Sequence, residues 1–323
     1  MKKFTSQEIK EFISKPMFDE KVILNKDPSW PKISIVTPSY NHARFLENTI
    51  LSVLNQNYPN LEYIIIDGSS KDGSVEIIKK YEKYLTYWVS EPDNGQSHAI
   101  NKGIEQATGD IFNWINADDI LEPSSLEAVA MAWQSNPNKI IAGSTLFILA
   151  DGTLRQFKTR VDSNNITFKN MLEFWKKGYS WTQPGSFLPM KPVREVGILD
   201  QSLHMIMDYE LMLRLLLRTS VTYIPYVLAR FRSHPNSKSG SIGQFFYVEL
   251  ADIVPRYARL APEVTKKEVK GFQAKCLVLA GARELYFGHW GSGTKLIRRS
   301  LWCNPIVACA TLIGRLIGLN VRP

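Results

Sequence analysis

Short apolar runs separated by polar loops and helical stripes recur through the first half of the chain. Ile33-Ser34-Ile35-Val36-Thr37 reads as a strand, and the segment from Phe45 sets Leu46, Ile50, Val53 and Leu54 on one helical stripe. Leu61 to Ile66 is a second apolar strand that ends at Asp67. A Gly- and Ser-rich turn, Gly68 to Gly73, then leads to a helix from Ser74 carrying Val75, Ile78 and Leu85. Tyr87-Trp88-Val89 gives a third strand, Glu91 to Gly95 a turn, and Ser97 to Ala107 a helix closed by Gly109. Ile111 to Ile115, aromatic and β-branched, then runs toward two adjacent carboxylates, Asp118 and Asp119. Repeated strand-loop-helix units predict an α/β fold with a mainly parallel central sheet flanked by helices, and such sheets bind ligands beyond the carboxyl ends of their strands. Pro38 to Asn41, Asp67 to Asp72, Asp93 to Gly95 and Asp118-Asp119 would meet there.

From Ile140 the pattern changes. Leu146 to Leu149 and Leu154 to Phe157 flank Asp151-Gly152, a hairpin signal that predicts antiparallel pairing in this half. Residues 165–177 read as helix, and an aromatic loop runs from Gly178 to Gly185. Asp208 heads an apolar helix, Leu211 to Leu217, and Tyr223-Ile224 and Val227 to Phe231 read as strand. Residues 1–32, polar and interrupted by Pro16, Pro28 and Pro31, read as a lead-in; everything from about Gln244 reads as helix.

A composition of 44% hydrophobic and 22% charged residues over 323 positions is that of a folded globular chain, which excludes extended disorder. The net charge is +8, yet residues 266–323 hold ten Lys or Arg against two Glu, leaving 29 of each sign before them. The basic excess therefore belongs to the C-terminal region, where it fits either an anionic lipid surface or a solvated helical face; no motif points to nucleic acid. Pro305 to Leu319 is apolar but for Arg315 and a few small polar positions, and as a helix it would reach about 22 Å, short of the ~30 Å hydrocarbon core. With Lys295, Arg298 and Arg299 before it, an in-plane helix on anionic lipid and a helix packed back on the protein are both open. Cys276, Cys303 and Cys309 fit no zinc spacing and read as reduced, and Met1-Lys2-Lys3 is followed by polar residues rather than a secretory apolar core. Both observations predict a cytoplasmic protein, peripheral at the inner face of the membrane if the lipid reading holds.

Carboxylates at the tip of a buried strand need a partner. Asp118 and Asp119 can seat a phosphate-bound divalent cation, or they can cap the helix that follows Pro123, and the residues alone leave both readings open. No G-x-G-x-x-G follows the first strand and no G-x-x-x-x-G-K-[ST] occurs, so neither the dinucleotide nor the P-loop mode applies. Four segments carry a different likeness: Ile35 to Asn41, Ile66 to Ser74, Asn116 to Asp119, and Met207-Asp208-Tyr209-Glu210-Leu211. In order and spacing they resemble the family 2 glycosyltransferases with the GT-A fold, of the bacterial surface-polysaccharide type, over roughly Ile33 to His234.

The resemblance implies an inverting, metal-dependent transfer of a sugar from a nucleoside-diphosphate-sugar donor to a glycan or lipid-linked acceptor. It implies a GT-A catalytic domain over 33–240, with a nucleotide-binding half (33–122) and an acceptor half (123–240), then a helical extension over 241–323. Donor contacts would come from Pro38, Tyr40, Asn41, Asp67, Ser70, Asp93, Gly95, Asn101, Lys102, Asn116 and Asp118. Asp119 would hold Mn2+ or Mg2+, with His234 closing the site; a surface histidine is the competing reading. Many relatives carry a second acid after Asp67 where this chain has Gly68, and Asn116 replaces the usual acid before Asp118. Asp208 would be the base that takes the acceptor's proton, with an N-cap as its alternative role. Trp181, Gln183 and Glu210 would face the acceptor, although a core tryptophan is the alternative for Trp181. Two rivals remain: a sugar-nucleotide pyrophosphorylase, which would want a Gly-rich phosphate loop after the first strand, and a non-catalytic sugar-nucleotide or membrane-binding scaffold.

Overall fold

A computed structural model of the chain describes residues 4–149, 154–155, 166–177, 181–234, 238 and 244–316. In chain order its elements are α1 (Ser6–Phe12), α2 (Glu20–Asn25), β1 (Ile33–Ser39), α3 (Ala43–Leu54), β2 (Leu61–Asp67), α4 (Ser74–Tyr81), β3 (Tyr87–Ser90), α5 (Gln96–Gln106), β4 (Ile111–Trp114), β5 (Ile120–Leu121), α6 (Ser125–Ser135) and β6 (Ile140–Leu149). There follow β7 (Leu154–Arg155), α7 (Phe168–Leu172), α8 (Phe174–Lys177), β8 (Ser186–Pro189), α9 (Met190–Val196), α10 (Met207–Leu216), β9 (Val221–Ser233), α11 (Gln244–Ala258), α12 (Lys266–Tyr286), α13 (Trp290–Cys303) and α14 (Pro305–Leu316). They fall into two compact units: Met1–Thr167, Ser180–Gln201 and Arg214–His234 form one, and Phe168–Tyr179, Ser202–Leu213 and Pro235–Pro323 the other.

The first unit is built on one mixed sheet in the order β3-β2-β1-β4-β8-β6-β9-β5, with β7 paired to β6. β3, β2, β1 and β4 are parallel, and β1 and β2 are buried along their whole length, which is why they read as near-continuous apolar runs. Their register sets Ser39 beside Asp67 and Asp67 beside Ser90, so the loops after these strands leave from one edge of the sheet. Beyond β4 the pairing is antiparallel to β8 and onward to β6, and β9 runs parallel to β6 and antiparallel to β5. The expected hairpin pairs Phe147 with Arg155 and Ile148 with Leu154; its turn, Asp151-Gly152, and Phe157 lie outside the described residues.

The opposite edge of the sheet is closed by a carboxylate. Buried Glu62 accepts from the Thr108 backbone N–H (2.6 Å) and hydroxyl (2.6 Å), the Ser34 hydroxyl (2.5 Å) and the Lys32 ammonium (2.8 Å). Burial alone would raise its pKa, but these donors outweigh it and hold the carboxyl below its usual range. The lead-in is also more than a tail: Ile9, Phe12 and Ile23 are buried, and the amides of Asn48 in α3 and of Asn55 at its C-cap donate to the Ile13 (2.8 Å) and Lys15 (3.0 Å) carbonyls. A few apolar side chains held by a partner helix's amides leave no periodic signature.

In the second unit Phe174, Trp175, Tyr209 and Phe272 pack as an aromatic group, with Trp175 stacked on Phe272 at 4.2 Å. α12 carries a capping box from Thr265 and Glu268 and packs on α13 where Gly281 meets Gly293; a Cβ on Gly281 would stand 2.9 Å from the Gly293 carbonyl. Ala274, Val278 and Ala308 form the seam among α12, α13 and α14. Among the described residues, no helix is long and apolar enough to cross a membrane.

Candidate active site

The loops that follow β1 and β2 are bolted together. Asp72 accepts from the Ser74 N–H (3.1 Å) and hydroxyl (2.6 Å) at the start of α4 and from the Ala43 N–H (2.8 Å) at the start of α3, so one carboxylate serves two helix N-termini. Asn41, at φ 53°, accepts the Lys71 N–H on Oδ1 (2.9 Å) and donates its own N–H to Ser70 Oγ (2.8 Å). Asp67 is fully buried and accepts from the Ser70 N–H (2.9 Å), the Ser70 hydroxyl (2.6 Å) and the Ser90 hydroxyl (2.7 Å). Pro38 lies within β1, while Tyr40, 60% exposed, presents its ring to solvent. A Cβ on Gly68 would stand 2.8 Å from Asp93 Oδ2 and 3.2 Å from the Tyr40 ring. Asp93 therefore fills the space that a side chain at position 68 would take, anchored by the Gly95 N–H on its Oδ1 (2.7 Å).

At the end of β4 the two acids have different surroundings. Asp119 is fully buried, accepting the Arg232 backbone N–H on Oδ1 (2.9 Å) and the Asn116 amide on Oδ2 (3.0 Å); Asn116 in turn accepts from Gln96 (2.7 Å). Burial, then the Asp118 charge, push the Asp119 carboxyl well above its usual range. Asp118 instead meets His234 Nε2 through Oδ2 (2.9 Å), and Arg232 Nε donates to its backbone carbonyl (2.8 Å). Neither acid caps α6, whose N-cap is Ser124 at φ 62° with no side-chain cap bond. The capping alternative is thereby removed.

Among the described residues one group of metal-ligand type comes together: His42, Asp118 and His234 offer ligand atoms that all lie within 4.8 Å of one another. His42 Nδ1 lies 2.8 Å from the Tyr40 carbonyl, an acceptor only, so that nitrogen carries the proton and Nε2 keeps a lone pair. Two imidazoles and a carboxylate suit a divalent first-row cation. Arg232 is buried beneath Phe45, 4.7 Å from its ring, and its Nη2 has no protein partner; the buried Ser39 hydroxyl at the end of β1 has none either. Buried donors left over in this way fit the oxygens of a phosphate.

Other expected contacts are spent elsewhere. Both polar atoms of Asn101 clasp the Leu199 backbone (2.9 Å each), and Lys102 pairs with Glu91 (2.6 Å). Trp181 is 2% exposed, its indole N–H bound to Ser186 Oγ (2.6 Å), and the buried Gln183 amide donates to Asn113 Oδ1 (2.9 Å) and the Trp114 carbonyl (2.7 Å). Both are placed as core side chains of the first unit.

In the second unit Asp208 is the second residue of α10, not its N-cap, and accepts the Tyr209 N–H (2.8 Å). Burial raises its pKa, against the pull of that N–H and of the Lys238 charge. Glu210 is buried and accepts the Tyr257 hydroxyl. The residue that sequence reasoning passed over is Glu249 of α11, whose carboxylate accepts three successive N–H groups, from His204 (2.7 Å), Met205 (2.9 Å) and Ile206 (3.1 Å), at the entry to α10. No motif marks it. His42 and Arg232 were also passed over, and both had a signal. His42 directly follows the strand-end loop, and Arg230, Arg232 and His234 recur at the two-residue period of one strand face.

Residues 34–194 match the model described as Glycosyl transferase family 2. A Rickettsia felis protein described as an uncharacterized glycosyltransferase is 28% identical over 221 residues, 66% of this chain and 36% of that protein. The chain spans between 31% and 64% of the length of four such Rickettsia relatives. The putative teichuronic acid biosynthesis glycosyltransferase TuaG of Bacillus subtilis is 37% identical over 102 residues, 30% of this chain and 40% of that one. Among solved structures, S. aureus TarS in complex with UDP-GlcNAc superposes with a TM-score of 0.63 at 13% identity, over 87% of this chain and 83% of that one, a likeness of fold. Through residues 34–194, built on the GT-A fold, the chain belongs to glycosyl transferase family 2.

Proposed function

We propose that the chain is an inverting glycosyltransferase that moves a sugar from a nucleoside-diphosphate-sugar donor to a glycan or lipid-linked acceptor in surface-polysaccharide assembly, with Mn2+ or Mg2+ on the diphosphate. The observation that carries this reading is the grouping of His42, Asp118 and His234 with the unpartnered Arg232 Nη2 at the strand-end edge of the sheet. Relatives point the same way: one structural neighbour carries UDP-GlcNAc, another GDP-Man and Mn2+, and TuaG is named for teichuronic acid synthesis. We assign the cation to Asp118 with His42 and His234 rather than to Asp119, because both Asp119 oxygens already serve Arg232 and Asn116. When bound, the cation neutralises charge that develops on the leaving diphosphate. Arg232 would add donors to the same oxygens, Tyr40 and Asp93 would flank the base, and Asp208 would take the proton of the attacking hydroxyl. Such an enzyme would work at the inner face of an anionic membrane, where a lipid-linked acceptor is at hand.

The test is the Mn2+ dependence of donor-induced thermal stabilisation, which follows binding by mass action. Asp118→Asn should abolish the metal-dependent part of the shift for any nucleotide sugar that stabilises the parent, while Asp119→Asn should retain most of it. Retention in Asp118→Asn with loss in Asp119→Asn would return the cation to Asp119.

A further inference from the structure

The membrane placement proposed above names no contact surface, and α13 supplies one. Its inward stripe, Gly293, Ile297 and Ser300, recurs at helical spacing, with Gly293 and Ser300 buried. Its outward stripe lies two residues out of step, about 200° round the helix, and holds Lys295, Arg298 and Trp302 at i, i+3 and i+7. Trp302 is 80% exposed, and Ile306, in the first turn of α14, is exposed to the same degree. Large apolar side chains left in water to that extent are not needed to hold the helices together, since the α12–α14 seam is made by Ala274, Val278 and Ala308.

The charges point to the occupant. Arg299 is paired with Asp252, but Lys295 and Arg298 have no ion-pair partner among the described residues. Residues 266–323 hold ten Lys or Arg against two Glu, which is the whole +8 excess of the chain. Exposed tryptophan beside unpaired lysine and arginine is the composition of a membrane-water interface: the indole sits at headgroup level and the cations meet anionic lipid. We propose that the outward stripe of α13, Lys295-Arg298-Trp302, with Ile306 beside it in the chain, is the docking face for an anionic bilayer. The inference rests on the membrane placement and adds its surface.

The experiment is co-sedimentation of the full chain with vesicles of phosphatidylcholine alone or with 30% phosphatidylserine (about 30%, a composition that gives a negative surface potential). The parent should bind the anionic vesicles and lose them as salt rises. Each basic residue is worth about fivefold, so Lys295→Ala/Arg298→Ala should bind roughly twenty-fivefold more weakly. Trp302→Ala should weaken binding while keeping the parent's circular dichroism and melting temperature. Equal binding by parent and both variants would overturn the assignment of this face and leave membrane association standing. Failure of the parent to bind anionic vesicles would overturn both. A sedimentation-velocity dimer that Trp302→Ala dissolves would make the face a contact between two copies and overturn the lipid reading.

Discussion

Asp208 and Asp119 are both acids pushed above their usual pKa by burial, and they differ in what their oxygens can still do. Asp119 is committed on both oxygens, whereas the contact found for Asp208 is the N–H of its own neighbour, Tyr209. If Asp208 takes the acceptor's proton, Asp208→Asn should lower turnover by about 10² to 10⁴-fold at saturating substrates. Donor binding, which we propose for the first unit, should stay within a few-fold of the parent. A folded Asp208→Asn protein with near-parental turnover would move the search to another base. At this scale the sequence offered the residue types of the candidate site but not the partners of their polar atoms. Trp181, Gln183 and Asn101 sit in motif-like stretches, yet each spends its polar atoms inside the protein, because a buried polar side chain must be satisfied wherever the chain happens to bring a partner. The local pattern cannot report that partner, which for Asn101 is Leu199, 98 positions away.

Elements were legible where periodicity was strong and silent where one distant side chain decided the geometry. β1 to β4 and their helices stand close to where the apolar runs put them: β1, β2 and β4 are buried and mostly apolar, and the more exposed β3 follows its aromatic run. α1 and α2 escaped because their anchoring depends on distant amides: Asn48 and Asn55 hold the chain just after α1, and Asn57 accepts the N–H of Asp19 at the start of α2. The entry to α10 is a sharper case. Its backbone donors are collected by Glu249 from α11, which makes Glu249 a positioning residue for the turn that presents Asp208. Glu249→Gln keeps one carbonyl acceptor and loses the charge, so it should cost about 1.5–3 kcal/mol of stability and lower turnover with little change in donor affinity. Glu249→Asp, which restores the charge on a shorter stem, should recover part of the turnover. The measurements are a denaturant melt and the split between kcat and donor KM. An unchanged kcat in a destabilised Glu249→Gln protein would reduce the residue to scaffolding.

Several carboxylates of the protein have displaced pKa values, and the sign of each shift follows what surrounds it. Glu62, at the edge remote from the site, is drawn below its usual range by four donors; Asp119 and Asp208 are held above theirs by burial. Glu122 is raised as well although Arg230 pairs with it, so burial can outweigh even a salt bridge, and sign alone does not mark a site. The stability consequences oppose each other. Glu62, with a folded pKa below its unfolded 4.5, stabilises the protein above that value and loses its contribution as pH falls through the folded pKa. Asp208, raised above 3.8, binds its proton more tightly when folded; it costs nothing in acid, and its penalty on the fold grows as pH rises from 3.8 and is complete above the raised value. Glu62→Gln should therefore lower the melting temperature at pH 7 by several degrees, from about 1.5–3 kcal/mol of lost charged hydrogen bonds, with the deficit closing below pH 4.5. Asp208→Asn should do the reverse, raising the melting temperature at pH 7 to about 8, a pH above the carboxylate range, and converging on the parent as pH approaches 3.8. A stabilising substitution at the residue proposed to carry catalysis is what a site held at the expense of the fold would give. Melting curves of the two variants against the parent across that range decide it, and an Asp208→Asn protein less stable than the parent at high pH would show that Asp208 serves the fold instead.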